Sequence, residues 1–157
     1  MTDLPLTGGC HCGAVRYEVR AAPRMVLNCH CTNCQKITGS AFATNAYIDE
    51  ASFAFTKGEP KIVRWTADSG TERWGAFCGD CGSRIAHGST PSKGGLALRG
   101  GTLDDVSWLE PVADIWTDSA QPWVEFPESR ARFPKQHTDA KPLFAAFEAQ
   151  GHFPKAD

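Results

Sequence analysis

The first hundred residues alternate apolar and polar side chains over short stretches that are separated by glycine and proline. In AVRYEV (14–19), Val15, Tyr17 and Val19 alternate with charged residues, a period of two that is typical of a half-buried strand. TERWGAFC (71–78) predicts a strand that leads directly into a cysteine, and GGLALRGG (94–101) predicts a short apolar strand between glycine pairs. These patterns predict a mainly β protein.

Two further patterns concern the middle and the end of the chain. SFAFTKGEPKIVRWTA (52–67) predicts a hairpin, because KGEP places turn-forming residues between two apolar runs. Six of the ten prolines lie after residue 110, so we expect mostly extended chain there. The exception is PLFAAFEAQG (142–151), which predicts a short helix opened by proline and stopped by glycine.

Composition narrows the possible partners and the compartment. The formal net charge is −2 and no basic run occurs, which argues against binding to nucleic acid or to an anionic membrane. MTDLPLTGG at the N-terminus lacks the basic start and apolar core of a signal peptide. No apolar run approaches the roughly 20 residues that span a bilayer. We therefore expect a cytoplasmic, reducing environment, in which disulfides are rare.

Seven cysteines, an odd number, favour metal binding over a disulfide framework. Two short pairs, Cys10-x-Cys12 and Cys78-x-x-Cys81, are each followed by a glycine, which relaxes the backbone where a metal-binding turn tightens. Together they predict one closed zinc site with four thiolates. An iron–sulfur cluster on the same thiolates stays open as an alternative, as does simple burial of some cysteines.

The remaining cysteines are crowded into NCHCTNC (28–34) as Cys29, Cys31 and Cys34, with no glycine after the last one. Three thiolates on a zinc ion leave one position open, as in catalytic sites. The net charge of −1 makes such a site a poor activator of water, but an incoming thiol would lose its proton there and stay nucleophilic. The triplet therefore indicates chemistry on a substrate thiol, for which glutathione is the obvious candidate. Reactive or merely buried thiols are the alternatives.

Four segments carry a family resemblance: GGCHCGAVRYEV (8–19), CHCTNCQKITGSAF (29–42), FCGDCGSRI (77–85) and DIWTDSAQPWVEF (114–126). In order and spacing they are similar to segments of the glutathione-dependent formaldehyde-activating enzyme family, to which centromere protein V also belongs. The resemblance covers roughly residues 7 to 126, and all seven cysteine positions are filled.

The resemblance implies a β-tent-type fold of short antiparallel sheets built around a structural zinc, with few short helices. It assigns Cys10, Cys12, Cys78 and Cys81 to that zinc and gives Cys29, Cys31 and Cys34 to a second, exchangeable and catalytic zinc. Residues 1–126 would form the zinc-binding β domain. Residues 127–157 lie beyond the resemblance; because so short a segment could hardly fold alone, we expect it to wrap onto the same domain.

The implied activity is the joining of formaldehyde and glutathione to S-hydroxymethylglutathione, formally a carbon–sulfur lyase running in reverse. Partners would be a small thiol and a small electrophile, with neither nucleic acid nor membrane. Two alternatives remain: a zinc-stabilised binding module without catalysis, and a thiol-based redox or metal-handling protein.

Further side chains are candidates for protonating the product oxygen or for binding a carboxylate, and the sequence ranks none of them: Lys36, Ser40, Arg84 and His87. His11 and His30 lie between ligand cysteines, yet we expect both to point away from the metal, because neighbouring strand residues face opposite sides. The tryptophans are expected mainly in the core or at its rim; Trp116 and Trp123, which flank TDSAQP, are candidates for the border of the open zinc site.

Overall fold

The computed structural model describes residues 3–151 and Pro154. Within those residues the chain is mainly β, as predicted, and none of its helices is long and apolar enough to cross a membrane. The strands are Leu6–Gly9 (β1), Arg16–Val19 (β2), Met25–Cys29 (β3), Ala43–Asp49 (β4), Phe53–Lys57 (β5), Lys61–Thr66 (β6), Glu72–Phe77 (β7), Arg84–Thr90 (β8), Gly95–Arg99 (β9), Ala113–Ile115 (β10) and Ala131–Phe133 (β11). The helices are Thr32–Thr38 (α1) and Lys141–Gln150 (α2).

The strands form a small sheet and a large one. The small sheet has the order β1-β2-β5, and the large sheet has the order β11-β10-β3-β4-β9-β8-β7-β6. Pairing is antiparallel except around β10, which runs parallel to both β3 and β11. The large sheet therefore places distant parts of the chain side by side.

The alternation in residues 14–19 is confirmed, because Val15, Tyr17 and Val19 are all buried. The strands predicted in 71–78 and 94–101 are β7 and β9. The predicted C-terminal helix is α2, which begins one residue earlier, at Lys141, and is followed by Gly151 in the left-handed region. Its apolar face packs on β3.

The hairpin predicted for 52–67 is wrong, although both of its strands exist. β5 pairs with β2 in the small sheet, whereas β6 pairs with β7 in the large one. The aromatic ring of Phe53 lies 5.4 Å from that of Tyr17, which joins β5 to the small sheet. At Gly58, with φ +69°, a Cβ would stand 2.2 Å from the Ala14 carbonyl oxygen, so this turn packs closely on neighbouring backbone. The turn thus carries the chain from one sheet to the other.

The chain after residue 110 is more regular than its prolines indicate. β10 sits inside the large sheet, between β3 and β11, and its three residues are buried. β11 lies beyond residue 126 and pairs with β10, and α2 also belongs to this part of the chain. The division of the chain at residue 126 stays a prediction.

Candidate active site

The first cysteine cluster brings together two turns that are distant in sequence. Cys10 and Cys12 lie between β1 and β2, and Cys78 and Cys81 lie between β7 and β8. The four sulfur atoms all lie within 4.8 Å of one another, with Cys12 Sγ 3.5 Å from Cys10 Sγ and 3.7 Å from Cys78 Sγ. Tetrahedral zinc with Zn–S bonds of about 2.3 Å separates its sulfurs by about 3.8 Å, so this donor set fits the ion.

The two turns of this four-thiol cluster have the same backbone hydrogen bonds. The amide of Cys10 donates to the carbonyl of Val15 at 3.0 Å, and the amide of Cys78 donates to the carbonyl of Ser83, five residues on, also at 3.0 Å. The hydroxyl of Ser83 and two nearby backbone amides lower the pKa of the Cys81 thiol to about 5. A lowered pKa favours the thiolate, which is the form that binds a metal.

Gly13 and Gly82 follow the second cysteine of each pair, and both lie in the left-handed region, with φ of 74° and 75°. No atom lies within 4 Å of where a Cβ would stand at either position. Backbone conformation, rather than lack of space, is therefore the reason for glycine here. The cluster connects the small sheet to the large sheet across 66 residues of sequence.

The second cluster is built differently. Cys29 is the last residue of β3, Cys31 is the N-cap of α1, and Cys34 lies inside that helix. Their sulfur atoms also lie within 4.8 Å of one another. The amide of Cys34 donates to Cys31 Sγ at 3.3 Å, so a thiol takes the usual place of a serine or aspartate cap.

The sequence prediction missed α1. Gly39, with φ 64°, ends the helix and donates its amide to the Gln35 carbonyl at 2.8 Å. A glycine that follows a mostly polar stretch about two helical turns long, as Gly39 does, is the signal that indicates the helix. The absence of a glycine directly after Cys34 is explained, because the chain continues there as helix and does not turn back.

Hydrogen bonding shifts the pKa of Cys31 and the pKa of Cys29 in opposite directions. Bonds from the thiols of Cys29 and Cys34, together with backbone amides, lower the pKa of Cys31. Hydrogen bonds with the thiols of Cys31 and Cys34, reinforced by burial, raise the pKa of Cys29. The cluster is therefore arranged to hold negative charge first at the helix N-cap.

Neither His11 nor His30 contributes a ligand atom to either cluster. His30 is fully buried, and its Nε2 lies 2.7 Å from Asp114 Oδ1 on β10. The other Asp114 oxygen accepts a bond of 3.2 Å from Arg130. His30 therefore anchors the triplet to β10, and the sequence prediction missed this role of Asp114.

A cleft of about 700 Å³ is lined by all three cysteines of the triplet and by none of the four-thiol cluster. Its floor is one face of the large sheet. Residues that pair across neighbouring strands, and every second residue along a strand, point to the same face. Asn45 pairs with Arg99, His87 pairs with Ala97, and Arg73 pairs with Ser89. The side chains on this floor that sequence spacing did not predict are Asn45, Tyr47, Arg73 and Arg99.

Of the candidates named from the sequence, His87 and Trp116 line the cleft. Lys36, Ser40 and Trp123 do not, and the Trp123 side chain is 69% exposed. Arg84 is also outside the lining and instead lies over the rings of Trp65 and Phe77, at 5.9 and 5.8 Å from their centroids. The register of β8 with β9 places His87 on the cleft floor, and motif spacing alone does not reveal this register.

Two titratable side chains on the floor are held neutral. Burial, reinforced by the charges of Arg99 and Arg73, lowers the pKa of His87 to about 3. Burial, reinforced by the nearby thiols of Cys29 and Cys34, raises the pKa of Tyr47 above its ordinary value of 10.0. At neutral pH the imidazole thus lacks a charge and the phenol keeps its proton.

The sequence profile of a protein family described as "Glutathione-dependent formaldehyde-activating enzyme" matches residues 5–119. The chain belongs to this family. The match includes all seven cysteines, β10 and Trp116, and it stops before β11 and α2. The resemblance is confirmed for the first three segments and for residues 114–119 of the fourth.

A crystal structure of a protein from Rhodobacter sphaeroides has a similar fold, with a TM-score of 0.52 and 22% sequence identity. The similarity covers 64% of this chain and 90% of the other. At that identity the similarity supports the fold alone.

Proposed function

We propose that this protein forms or processes a glutathione adduct of formaldehyde, or of a related small electrophile, at the three-thiol cluster. One observation carries the proposal: Cys29, Cys31 and Cys34 line a cleft of about 700 Å³, whereas the four-thiol cluster does not. Pockets of roughly 300–1,000 Å³ are typical of small-molecule sites, so this cleft has room for a tripeptide thiol and a small second substrate.

Both clusters are proposed to bind zinc. Cys10, Cys12, Cys78 and Cys81 would hold a structural ion, and the three-thiol cluster would hold an exchangeable, catalytic one. That ion, when bound, would leave one position for a substrate sulfur and favour its deprotonated form. The negative charge of a three-thiolate site argues against water activation and for thiol chemistry.

The proposed reaction conserves atoms without any redox change. The substrate sulfur forms a bond to the carbonyl carbon, the C=O π bond breaks, and the proton from sulfur ends on the carbonyl oxygen. Tyr47 retains its proton at neutral pH and lines the cleft, so its hydroxyl would donate a hydrogen bond to the developing oxygen anion. Lys93 and Lys135 are exposed at the edge of the cleft and would attract the carboxylates of glutathione.

The experiment is zinc stoichiometry with and without glutathione, combined with an assay of adduct formation. We expect about two zinc ions in the wild type and about one in Cys31→Ser, which should lose glutathione binding and adduct formation as well. Lys36→Ala is the matched control, because Lys36 is exposed on the same helix but lies outside the cleft lining. It should keep both ions and full activity.

Three results together would contradict the proposal: the wild type holds one zinc ion, glutathione does not bind, and glutathione does not change the retention of zinc. The protein would then be better described as a zinc-stabilised binding module.

A further inference from the structure

Arg99, the last residue of β9, holds a buried charge on the floor of the cleft. Arg99 is 7% exposed, and among the described residues its side chain donates one hydrogen bond, of 2.6 Å, to Asn45 Oδ1. None of the ion pairs between described residues includes Arg99. A buried charge is unfavourable unless an opposite charge or several hydrogen bonds compensate it.

Asn45 cannot provide that compensation. It is 1% exposed, and its amide nitrogen donates to the carbonyl of Ala43 at 3.3 Å, which fixes the amide oxygen toward Arg99. The amide is neutral, and a guanidinium has five N–H donors, of which this contact uses one. Donors therefore remain for a ligand in the cleft.

The charge balance of the cleft also favours an anionic ligand. Its lining includes four cationic side chains and two carboxylates, and both of these acids, Asp68 and Asp118, are exposed. The three thiolates with a divalent ion would add a net charge of −1. Even then the cations would exceed the anions, and the two arginines, Arg73 and Arg99, lie on the same face of the sheet.

Arg99 is also close to the reacting centre. Cys29 pairs with Ala43 across β3 and β4, and Asn45 is the diagonal neighbour of Cys29 on the same face. Diagonal neighbours in an antiparallel pair are about 7–8 Å apart. Arg99, which pairs with Asn45, is therefore within the reach of a small molecule whose other end is at the three-thiol cluster.

We propose that Arg99, assisted by Arg73, binds a carboxylate of the substrate, and that this carboxylate belongs to the electrophile. The electrophile would be an aldehyde acid of the glyoxylate type. This inference rests on the proposed function. The buried position of Arg99 fits a short molecule on the floor, while the exposed Lys93 and Lys135 fit the hydrated carboxylates of glutathione. The thiol S–H adds across the aldehyde C=O, and the carboxylate is unchanged.

The first test measures binding without reaction. Glycolate, an inert carboxylate, and ethylene glycol, its neutral counterpart, are titrated calorimetrically into metal-loaded protein. Wild type and Arg64→Met should bind glycolate and not ethylene glycol, because Arg64 is exposed on β6 outside the cleft. Arg99→Met should weaken glycolate binding about 10- to 100-fold, the loss expected for charge-assisted hydrogen bonds.

Asn45→Asp is the second variant, and it protects the test against simple misfolding. The new carboxylate would lie at the 2.6 Å contact and pair with Arg99, which offsets the loss of the amide's hydrogen bond to the Ala43 carbonyl, so the fold should be kept. Glycolate binding should nevertheless fall as it does in Arg99→Met. Equal glycolate affinity in all four proteins would overturn the proposal.

Adduct formation then separates this inference from the proposed function. Glyoxylate and formaldehyde are each supplied with glutathione and with cysteamine, a thiol without a carboxylate. We expect Arg99→Met and Asn45→Asp to lose activity selectively with glyoxylate, whichever thiol is used. A loss with glutathione and not with cysteamine would overturn the assignment to the electrophile and give the carboxylate to the thiol.

Two outcomes distinguish the failures. Arg99-dependent glycolate binding without any adduct formation would support the carboxylate site and contradict the proposed function. Formaldehyde adducts formed at equal rates by wild type and both variants, without glycolate binding, would support the function and overturn the carboxylate site.

Discussion

The two cysteine clusters use the same kind of ligand and similar spacings, yet they differ in what surrounds them. The four-thiol cluster closes two glycine-containing turns onto each other and joins the small sheet to the large one. The three-thiol cluster lies where β3 ends and α1 begins, at a cleft with arginine, histidine and tyrosine on its floor. The backbone that presents the thiols therefore determines whether a cluster is closed or can admit a ligand.

The difference also concerns stability. The four-thiol cluster links segments that are 66 residues apart, so its closure fixes the relation between two sheets. The three-thiol cluster spans six residues of continuous chain, and His30 and Asp114 hold that segment in place independently of any thiol. We therefore expect the first cluster to govern folding and the second to govern ligand binding.

The largest effect is expected for Cys78→Ser, at a residue that is 1% exposed in the four-thiol cluster. Structural zinc contributes about 10–16 kcal/mol of apparent folding free energy, which is as large as the whole stability of an ordinary domain. The variant should lose its β-sheet circular dichroism signal and its cooperative unfolding transition. A cooperative transition at the wild-type urea midpoint would show that this cluster is dispensable.

Cys31→Ser should have a much smaller effect on folding. Serine is a favourable N-cap and can accept the amide hydrogen bond that Cys31 Sγ accepts now, so α1 should persist. We expect the free energy of unfolding to change by less than about 1 kcal/mol relative to wild type whose three-thiol cluster is free of metal. Urea unfolding measures this change. If Cys31→Ser unfolds as Cys78→Ser does, the functional distinction between the clusters fails.

The sequence alone was sufficient for the partition of the cysteines into two clusters. Glycine after Cys12 and Cys81 indicated a turn, and the structure has left-handed glycines at both places. The alternation in β2 and the proline and glycine at the ends of α2 were also adequate signals. Each of these depends on local conformation, which nearby residues largely determine.

The cleft could not be predicted in the same way. Asn45 and Arg99 are 54 residues apart in sequence, and only the register of β4 with β9 brings them together. The failed hairpin at 52–67 has the same cause, because the choice between two sheets depends on tertiary packing around Gly58 and Tyr17. Long-range pairing, rather than local pattern, decides which polar residues share a site.

Glycine substitutions sharpen the comparison at the level of single turns. Gly82→Ala and Gly39→Ala each force a side chain into the left-handed region without a clash, so each should reduce the free energy of unfolding by about 1–2 kcal/mol. Only Gly82 donates its amide to the carbonyl of Cys78. Gly82→Ala should therefore speed the transfer of one metal ion to a chelator, and Gly39→Ala should not. Equal transfer rates would mean that this glycine does not shape the metal-binding turn.

A modest effect is expected from pH and concerns His87, on the cleft floor beside the three-thiol cluster. Burial and the charges of Arg99 and Arg73 lower its pKa to about 3, from an ordinary value of 6.5. Between these two values the unfolded chain binds a proton that the folded protein does not. Stability must therefore fall as the pH is lowered below 6.5, and His87 should have no such effect above that pH.

His87→Asn removes this proton uptake and leaves the other acid-sensitive groups in place. From pH 7.0 to 5.5 the free energy of unfolding of the wild type should fall by about 1 kcal/mol more than that of the variant. The pKa of His87 in the unfolded chain sets this difference, because its pKa in the folded protein lies well below 5.5. Urea unfolding of both proteins at both pH values gives the change in the free energy of unfolding for each, and the two changes are subtracted. Any metal loss that is common to both proteins cancels in this subtraction. Equal losses in the two proteins would mean that the folded protein protonates His87 as readily as the unfolded chain does. Burial, which is the larger cause, and the charges of Arg99 and Arg73 would then not lower the pKa of His87.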